Sequence, residues 1–561
     1  MNKKIQSLLC AVALALVLGG CGDGDDANFM VADTGQVGVS DQELIDQAAV
    51  ANPEIALKLV PYAHLDPLKP LNSVALQGQG GVQFTSVADL EANYETLFGS
   101  LSQKYGVTLA SPENVSNIAF IKGQSGTGNF DLNAQPILNN PLGVTGVSFQ
   151  AVDYQTTVPL PDGPQTFNVS GGLLMPTGID KSKIKGVVVY FHGTTFSKDA
   201  VGSNYSDGET QLCAQVFASQ GYIVAIPDYV GQGVDWADVH PYVLYPKVSA
   251  QTAADMLAAI KPTVADNYGF LDTDSALKLF SVGYSEGGAY SLWFNSYLSS
   301  DPSLLDDFYL LTHSVGLEGA YSTSEVTYGY LFDNVGSDNG NPYNIQSLSL
   351  VNIVKPILSA DAFLSYATYS NSSDFSAVFN PSFFAMNATL PVPQKDCNVD
   401  GVQVSIDQAF ARPSTDIANE LVASGLGKSA NGFRYPGPTQ LTKSTENGIS
   451  SLVSEEILMP GPLADLQAVL QDADVDLTAC ADNGVSIVTL DQDSVVVPNN
   501  FDLLSSEFPT KLATAIKIDH TQLKYVSPFS ETVGYAYWAP IDHLQGPVYE
   551  LLYALNTFNQ Y

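Results

Sequence analysis

Three short runs in this chain admit almost no polar side chain, and their spacing limits what it can fold into. Residues 186–191 (Gly-Val-Val-Val-Tyr-Phe), 222–226 and 277–284 each read as a strand buried on both faces. Segments with helical spacing follow them, over 210–220, 249–265 and 286–298; in the second, Ala253, Leu257 and Ile260 share one face. Strands alternating with helices build an α/β fold: a mostly parallel sheet with helices on both faces. Residues 313–317 predict a fourth core strand. Residues 147–154 and 165–169 predict two earlier strands, joined through the turn cluster Pro161-Asp-Gly-Pro164.

After residue 324 this rhythm stops, and it resumes at Val485-Ser-Ile-Val-Thr-Leu490. The simplest division gives a first core part at 146–324, a large, mainly helical cap inserted at 325–484, and a second core part at 485–561. The cap has helical pieces at 345–358 and 416–426. It is rich in aromatics: Tyr366, Tyr369, Phe375, Phe379, Phe383 and Phe384. Residues 21–145 form a tether and N-terminal extension, with helical spacing at 41–59 and 87–105 and no chemical motif.

The 561 residues include only 14% charged side chains, and the formal net charge is −36. Such a chain has ample apolar content for a core. It repels phosphate backbones, so no nucleic-acid partner is expected, and no basic face would dock on anionic lipid. Residues 1–20 read as a signal peptide, with Lys3 and Lys4 ahead of an apolar stretch to Leu18. Leu18-Gly19-Gly20-Cys21 resembles a bacterial lipobox. That resemblance implies export, lipidation at Cys21 and a membrane anchor at the cell envelope. Cys213 shares a helical face with Val216 and Phe217 and reads as an inert buried thiol. Cys397 and Cys480 sit in polar, loop-like stretches. An exported chain permits a disulfide, so these two are expected to pair.

Chemistry concentrates in four places. Gly283-Tyr284-Ser285-Glu286-Gly287 follows a predicted strand and opens a predicted helix, the context in which Gly-x-Ser-x-Gly is a nucleophile elbow. Phe191-His192-Gly193-Thr194-Thr195 ends an earlier strand. With the amide of Glu286, the Thr194 amide could form an oxyanion hole, and the Thr194 hydroxyl could also donate. His192 is expected to brace its loop. After such an elbow the acid and then the histidine follow in chain order. Asp493 is the acid, with Asp491 as the alternative. His543, in a loop ahead of an amphipathic terminal helix, is the base, with His520 as the alternative. Possible calcium loops at Asp472-x-Asp474-x-Asp476 and at 333–344 lack the glycine and distal glutamate of the known pattern, so no metal is expected.

These pieces resemble the α/β-hydrolase superfamily, in its secreted esterase and lipase branch. The match rests on Tyr154 with Thr156 and Thr157, Phe191-His-Gly-Thr194, Ile226-Pro-Asp-Tyr-Val-Gly-Gln-Gly233, His240-Pro-Tyr242, the Ser285 elbow and Asp493 to Pro498. It covers 147–324 and 485–556. Leu490 departs from the glycine that often precedes the acid, which keeps Asp491 open. The resemblance implies hydrolysis of a carboxylic ester, small or lipid-like, through an acyl-enzyme on Ser285, with no cofactor. The cap aromatics either line an apolar acyl pocket or form the cap's own core. A peptidase of the same fold and a non-catalytic binding module are the alternatives.

Overall fold

The computed structural model describes residues 83–86, 142–332 except 162, 196–200, 206, 236–237 and 272, 358–370 except 360 and 364, residue 378, and 460–520, 524–527, 537–540, 542–543 and 546–561. Cys21, Cys397, Phe375, Phe379, Phe383 and Phe384 lie outside the described residues, as do the helical pieces expected at 41–59, 87–105 and 416–426.

Nine strands form one mixed sheet in the order β1-β2-β3-β5-β4-β6-β7-β8-β9. In chain order they are β1 (Gln83–Ser86), β2 (Gly146–Leu160), β3 (Gly163–Thr177), β4 (Gly186–Phe191), β5 (Tyr222–Pro227), β6 (Leu277–Tyr284), β7 (Tyr309–Leu317), β8 (Val485–Leu490) and β9 (Leu512–Ile518). The strands β2 and β3 make one long antiparallel hairpin, in register from Gly146 opposite Thr177 to Leu160 opposite Gly163. From β5 to β9 every pairing is parallel. The parallel architecture with helical layers is thus present, and the hairpin forms its antiparallel end.

Alternation along β4 explains the two layers. Val187, Val189 and Phe191 pack with Ala253, Met256, Leu257 and Ile260 of α2 (Pro246–Tyr268). Val188 and Tyr190 face the other way. They meet Cys213, Val216 and Phe217 around α1 (Gly208–Val216), and Leu551, Leu552 and Leu555 of the terminal helix (Gly546–Phe558). The helix α2 outruns its expected bounds. Pro246 starts it, Pro262 is tolerated inside, and Gly269 closes it at φ 70°.

The helix α3 (Glu286–Ser300) follows β6. Between β7 and β8 the described residues include α4 (Tyr328–Phe332) and α5 (Pro460–Asp472). Tyr366 and Tyr369 are buried in the main core cluster, beside Tyr245. Then come α6 (Asn499–Glu507) after β8, a two-stranded ribbon of β10 (Lys524–Ser527) and β11 (Tyr537–Pro540), and the terminal helix α7.

The loop expected around Cys480 forms, but the thiol does not share its polar surroundings. Its polar neighbours turn outward, while Cys480 itself lies 2% exposed against Ala289 and Leu292 of α3. It is a free thiol, as is buried Cys213, and burial pushes it up to about 12.

Candidate active site

The site begins at the end of β6. Ser285 sits between β6 and α3 with φ 59° and ψ −121°, a conformation that costs a non-glycine residue about 1–3 kcal/mol. Hydrogen bonds hold it there: its N–H donates to Leu317 O at 2.9 Å, and its carbonyl accepts from Gly288 N–H at 2.9 Å. The flanking glycines are steric requirements. A Cβ on Gly287 would lie 2.0 Å from Phe191 O, and one on Gly283 would lie 2.1 Å from Gly287 O.

Three residues from distant parts of the chain meet in a line. Ser285 Oγ lies 2.8 Å from His543 Nε2, and His543 Nδ1 lies 2.5 Å from Asp493 Oδ2. Asp493 follows β8, and its other oxygen accepts from the N–H groups of Val495 and Val496 at 2.7 and 2.8 Å. This carboxylate therefore cannot swing freely. Asp542 lies behind, accepting from the N–H groups of Ser494 and His543. All four are buried. Burial alone would lower His543, but the charge and hydrogen bond of Asp493, with the charges of Asp542 and Glu550, raise it overall.

The two runners-up pair with each other. Asp491 Oδ1 lies 2.6 Å from His520 Nδ1 and accepts the His520 N–H at 2.8 Å. Asp519 joins them in a potential cation cluster. The acidic triplet is otherwise occupied: Asp472 by Lys247, Asp474 by Ser324, and Asp476 by the N–H of Thr478.

The loop after β4 is anchored from below. Glu209 on α1 accepts from Gly193 N–H at 3.1 Å and from the Tyr190 hydroxyl at 2.6 Å. The Thr194 hydroxyl donates to Tyr242 Oη at 3.2 Å, so it is spent on the loop's neighbour. His192 stacks on Tyr229 with ring centroids 4.0 Å apart, and its Nδ1 lies 2.8 Å from Gly193 O. Burial lowers it to about 4, which leaves a neutral brace. Glu286 opens α3, so its N–H has no acceptor within the helix. Its side chain is buried between His240 and Tyr290, at 2.6 and 2.7 Å.

Glu209, His240 and the Glu286 side chain were not assigned roles from sequence. The available signal was compositional: acids next to apolar runs in a chain with few charges. Beside Ser285 lies a space of about 460 Å³, open to solvent and lined by Val243, Ala320, Tyr330, Leu331, Leu358 and Val497 among others. Val243, Thr327 and Leu331 also border a second apolar space of about 360 Å³, reaching Phe363 and Leu466.

No family model matches the chain, and no curated protein matches it. Solved structures do. An esterase from Xanthomonas oryzae, LipA, described as degrading rice cell wall, superimposes with a TM-score of 0.50 at 14% identity, covering 79% of this chain and 94% of that one. A presumed hydrolase from Legionella pneumophila gives 0.48 at 17%, over 80% and 95%. Lipase A of Candida antarctica gives 0.41 at 14%, over 66% and 71%. With the parallel sheet and its helical layers, the likeness to LipA identifies the architecture of this chain as the α/β-hydrolase fold.

Proposed function

We propose that this protein is a serine hydrolase of carboxylic esters. The observation behind this reading is the unbroken line from Ser285 through His543 to Asp493, at 2.8 and 2.5 Å. His543 takes the proton from Ser285 Oγ as the oxygen attacks the ester carbonyl. Asp493 holds Nδ1–H and stabilises the imidazolium. The amides of Glu286 and Thr194 receive the oxyanion, each such donor being worth about 2.7–4 kcal/mol. His543 then protonates the leaving alcohol, and water attacks the acyl-enzyme by the same base.

The apolar lining beside Ser285 favours an apolar acyl group, as in an esterase or lipase. The lipobox-like Leu18 to Cys21 supports a lipid-anchored protein at the bacterial cell envelope.

The deciding experiment is hydrolysis of p-nitrophenyl esters from C2 to C16 by the purified protein and by Ser285→Ala. Activity that disappears in the variant supports the reading. A folded protein inert on every ester, or an active Ser285→Ala, overturns it.

A further inference from the structure

Between β5 and α2 the chain passes the nucleophile in a strained segment. Val243 sits at φ 44°, a conformation that a β-branched residue adopts only under constraint, at a cost of about 1–3 kcal/mol. Two successive tight turns surround it: Tyr242 N–H donates to His240 O, and Leu244 N–H to Tyr242 O. The constraint comes from α3. Tyr290 Oη accepts the Val243 N–H at 2.9 Å, and Tyr290 and His240 share Oε1 of Glu286. The helix that opens after Ser285 therefore holds this segment in one conformation. The side chain it delivers to the site is Tyr242, which is 4% exposed and borders the space beside Ser285.

The Tyr242 hydroxyl has a donor but no acceptor. Thr194 Oγ1 donates to it at 3.2 Å, and among the described residues nothing accepts the phenol's own hydrogen. A phenol can accept and donate at once. Burial and the charge of Glu286 raise Tyr242 well above the ordinary tyrosine value, so that hydrogen stays on the oxygen at any pH where His543 works as a base. The missing acceptor is one that exists only during the reaction. Thr194 supplies an amide to the oxyanion in the reading above, and its hydroxyl lies against Tyr242 Oη. The phenol therefore stands beside the place where the carbonyl oxygen gains its charge.

We propose that Tyr242 is a further catalytic residue: its hydroxyl is a third oxyanion donor, oriented by the Thr194 hydroxyl that donates into it. The inference rests on the ester-hydrolase reading. As Ser285 Oγ bonds to the ester carbon, its proton passes to His543 and the carbonyl π pair moves onto oxygen. The Glu286 and Thr194 amides and the Tyr242 hydroxyl receive that charge by hydrogen bonding, and the phenol keeps its proton. The pair returns to carbon as the alcohol leaves.

The test measures kcat and KM on the preferred p-nitrophenyl ester, and affinity for an alkyl trifluoromethyl ketone. Ser285 Oγ adds to the ketone carbon, its proton passes to His543, and the hemiketal oxygen keeps the charge, so the adduct reproduces the oxyanion. Tyr242→Phe keeps the ring and removes only the hydroxyl. It should lower kcat about 100-fold with KM within about threefold, and weaken ketone binding by a similar factor. Thr194→Val keeps the amide and removes the orienting hydroxyl. It should lower kcat about five- to tenfold alone, and cost nothing further beside Tyr242→Phe. Rates are taken per Ser285 titrated with a fluorophosphonate, so misfolded protein is not counted.

Full kcat in Tyr242→Phe overturns the proposal. So does a fall in kcat with the ketone bound as tightly as before, because the hydroxyl then does not touch the oxyanion. Losses that multiply in the double variant overturn it as well, since Thr194 would then act without Tyr242. An ester hydrolase unaffected by Tyr242→Phe defeats this inference alone, whereas a protein inert on all esters defeats both readings.

Discussion

His240 and Glu286 form a buried pair, Nε2 to Oε1 at 2.6 Å, with side chains 7% and 1% exposed. The contact fixes the residue directly after Ser285. Tyr290 donates to the same Glu286 oxygen, and His240 Nδ1 lies 3.3 Å from Val230 O. The pair therefore joins the start of α3 to the loop after β5, where Tyr229 stacks between His192 and His240.

Glu286→Ala should lower kcat by about 10- to 100-fold with little change in KM, because the oxyanion amide loses its side-chain tether. Breaking a buried pair also destabilises, by about 3–5 kcal/mol, so kcat must be measured well below the variant's melting temperature. Activity that falls only with the folded fraction would reduce the pair to a structural role. Glu286→Gln should retain most of the rate.

Activity should rise with pH through a group titrating above the ordinary histidine value of about 6.5, since His543 must be neutral to accept a proton and its neighbours raise it. Asp542→Asn removes one of those raising charges. Its kcat/KM profile should shift its acid limb to lower pH, and a shift upward would contradict this account.

Stability should peak on the acid side of neutrality. Burial raises Asp207 to about 7, Asp228 to about 6 and Glu550 to about 7. Between about pH 4.5 and 7 the fold therefore holds protons that the unfolded chain has released, and stability grows as pH falls through this window. Buried His192 and His313, both lowered to about 4, act oppositely below pH 6.5. They are outnumbered, and acid also relieves the repulsion of a chain at −36. Calorimetry at constant ionic strength should give a higher midpoint at pH 5.5 than at pH 8, and the reverse order would refute it.

Leu331 borders both apolar spaces near Ser285. If an acyl chain runs from one into the other, Leu331→Trp should cut activity on C8 and longer esters by about tenfold or more. Acetate esters should keep activity within about threefold. Equal loss at every chain length would place the acyl group elsewhere.

The parallel strands were legible because burial on both faces leaves uninterrupted apolar letters, as in Val187 to Tyr190. The elbow was legible because sterics demand glycine at 283 and 287. The strand β9 and helix α6 were not assigned. In Leu512–Ile518 buried and exposed residues mix with Thr and Lys, which blurs the period. Asp493 and Asp491 could not be separated by letters two positions apart. In space they face different histidines, His543 and His520.

The seam between β7 and β8 has a consequence for how the protein is made. Ser314 and Val485 pair across it, yet about 170 residues separate them, and closing so long a loop is entropically costly and slow. A chain emerging from its N-terminus completes the Ser285 turn while Asp493 and His543 are still to come. During synthesis it therefore holds a hydroxyl with no base beside it until the last strands and the terminal helix have docked.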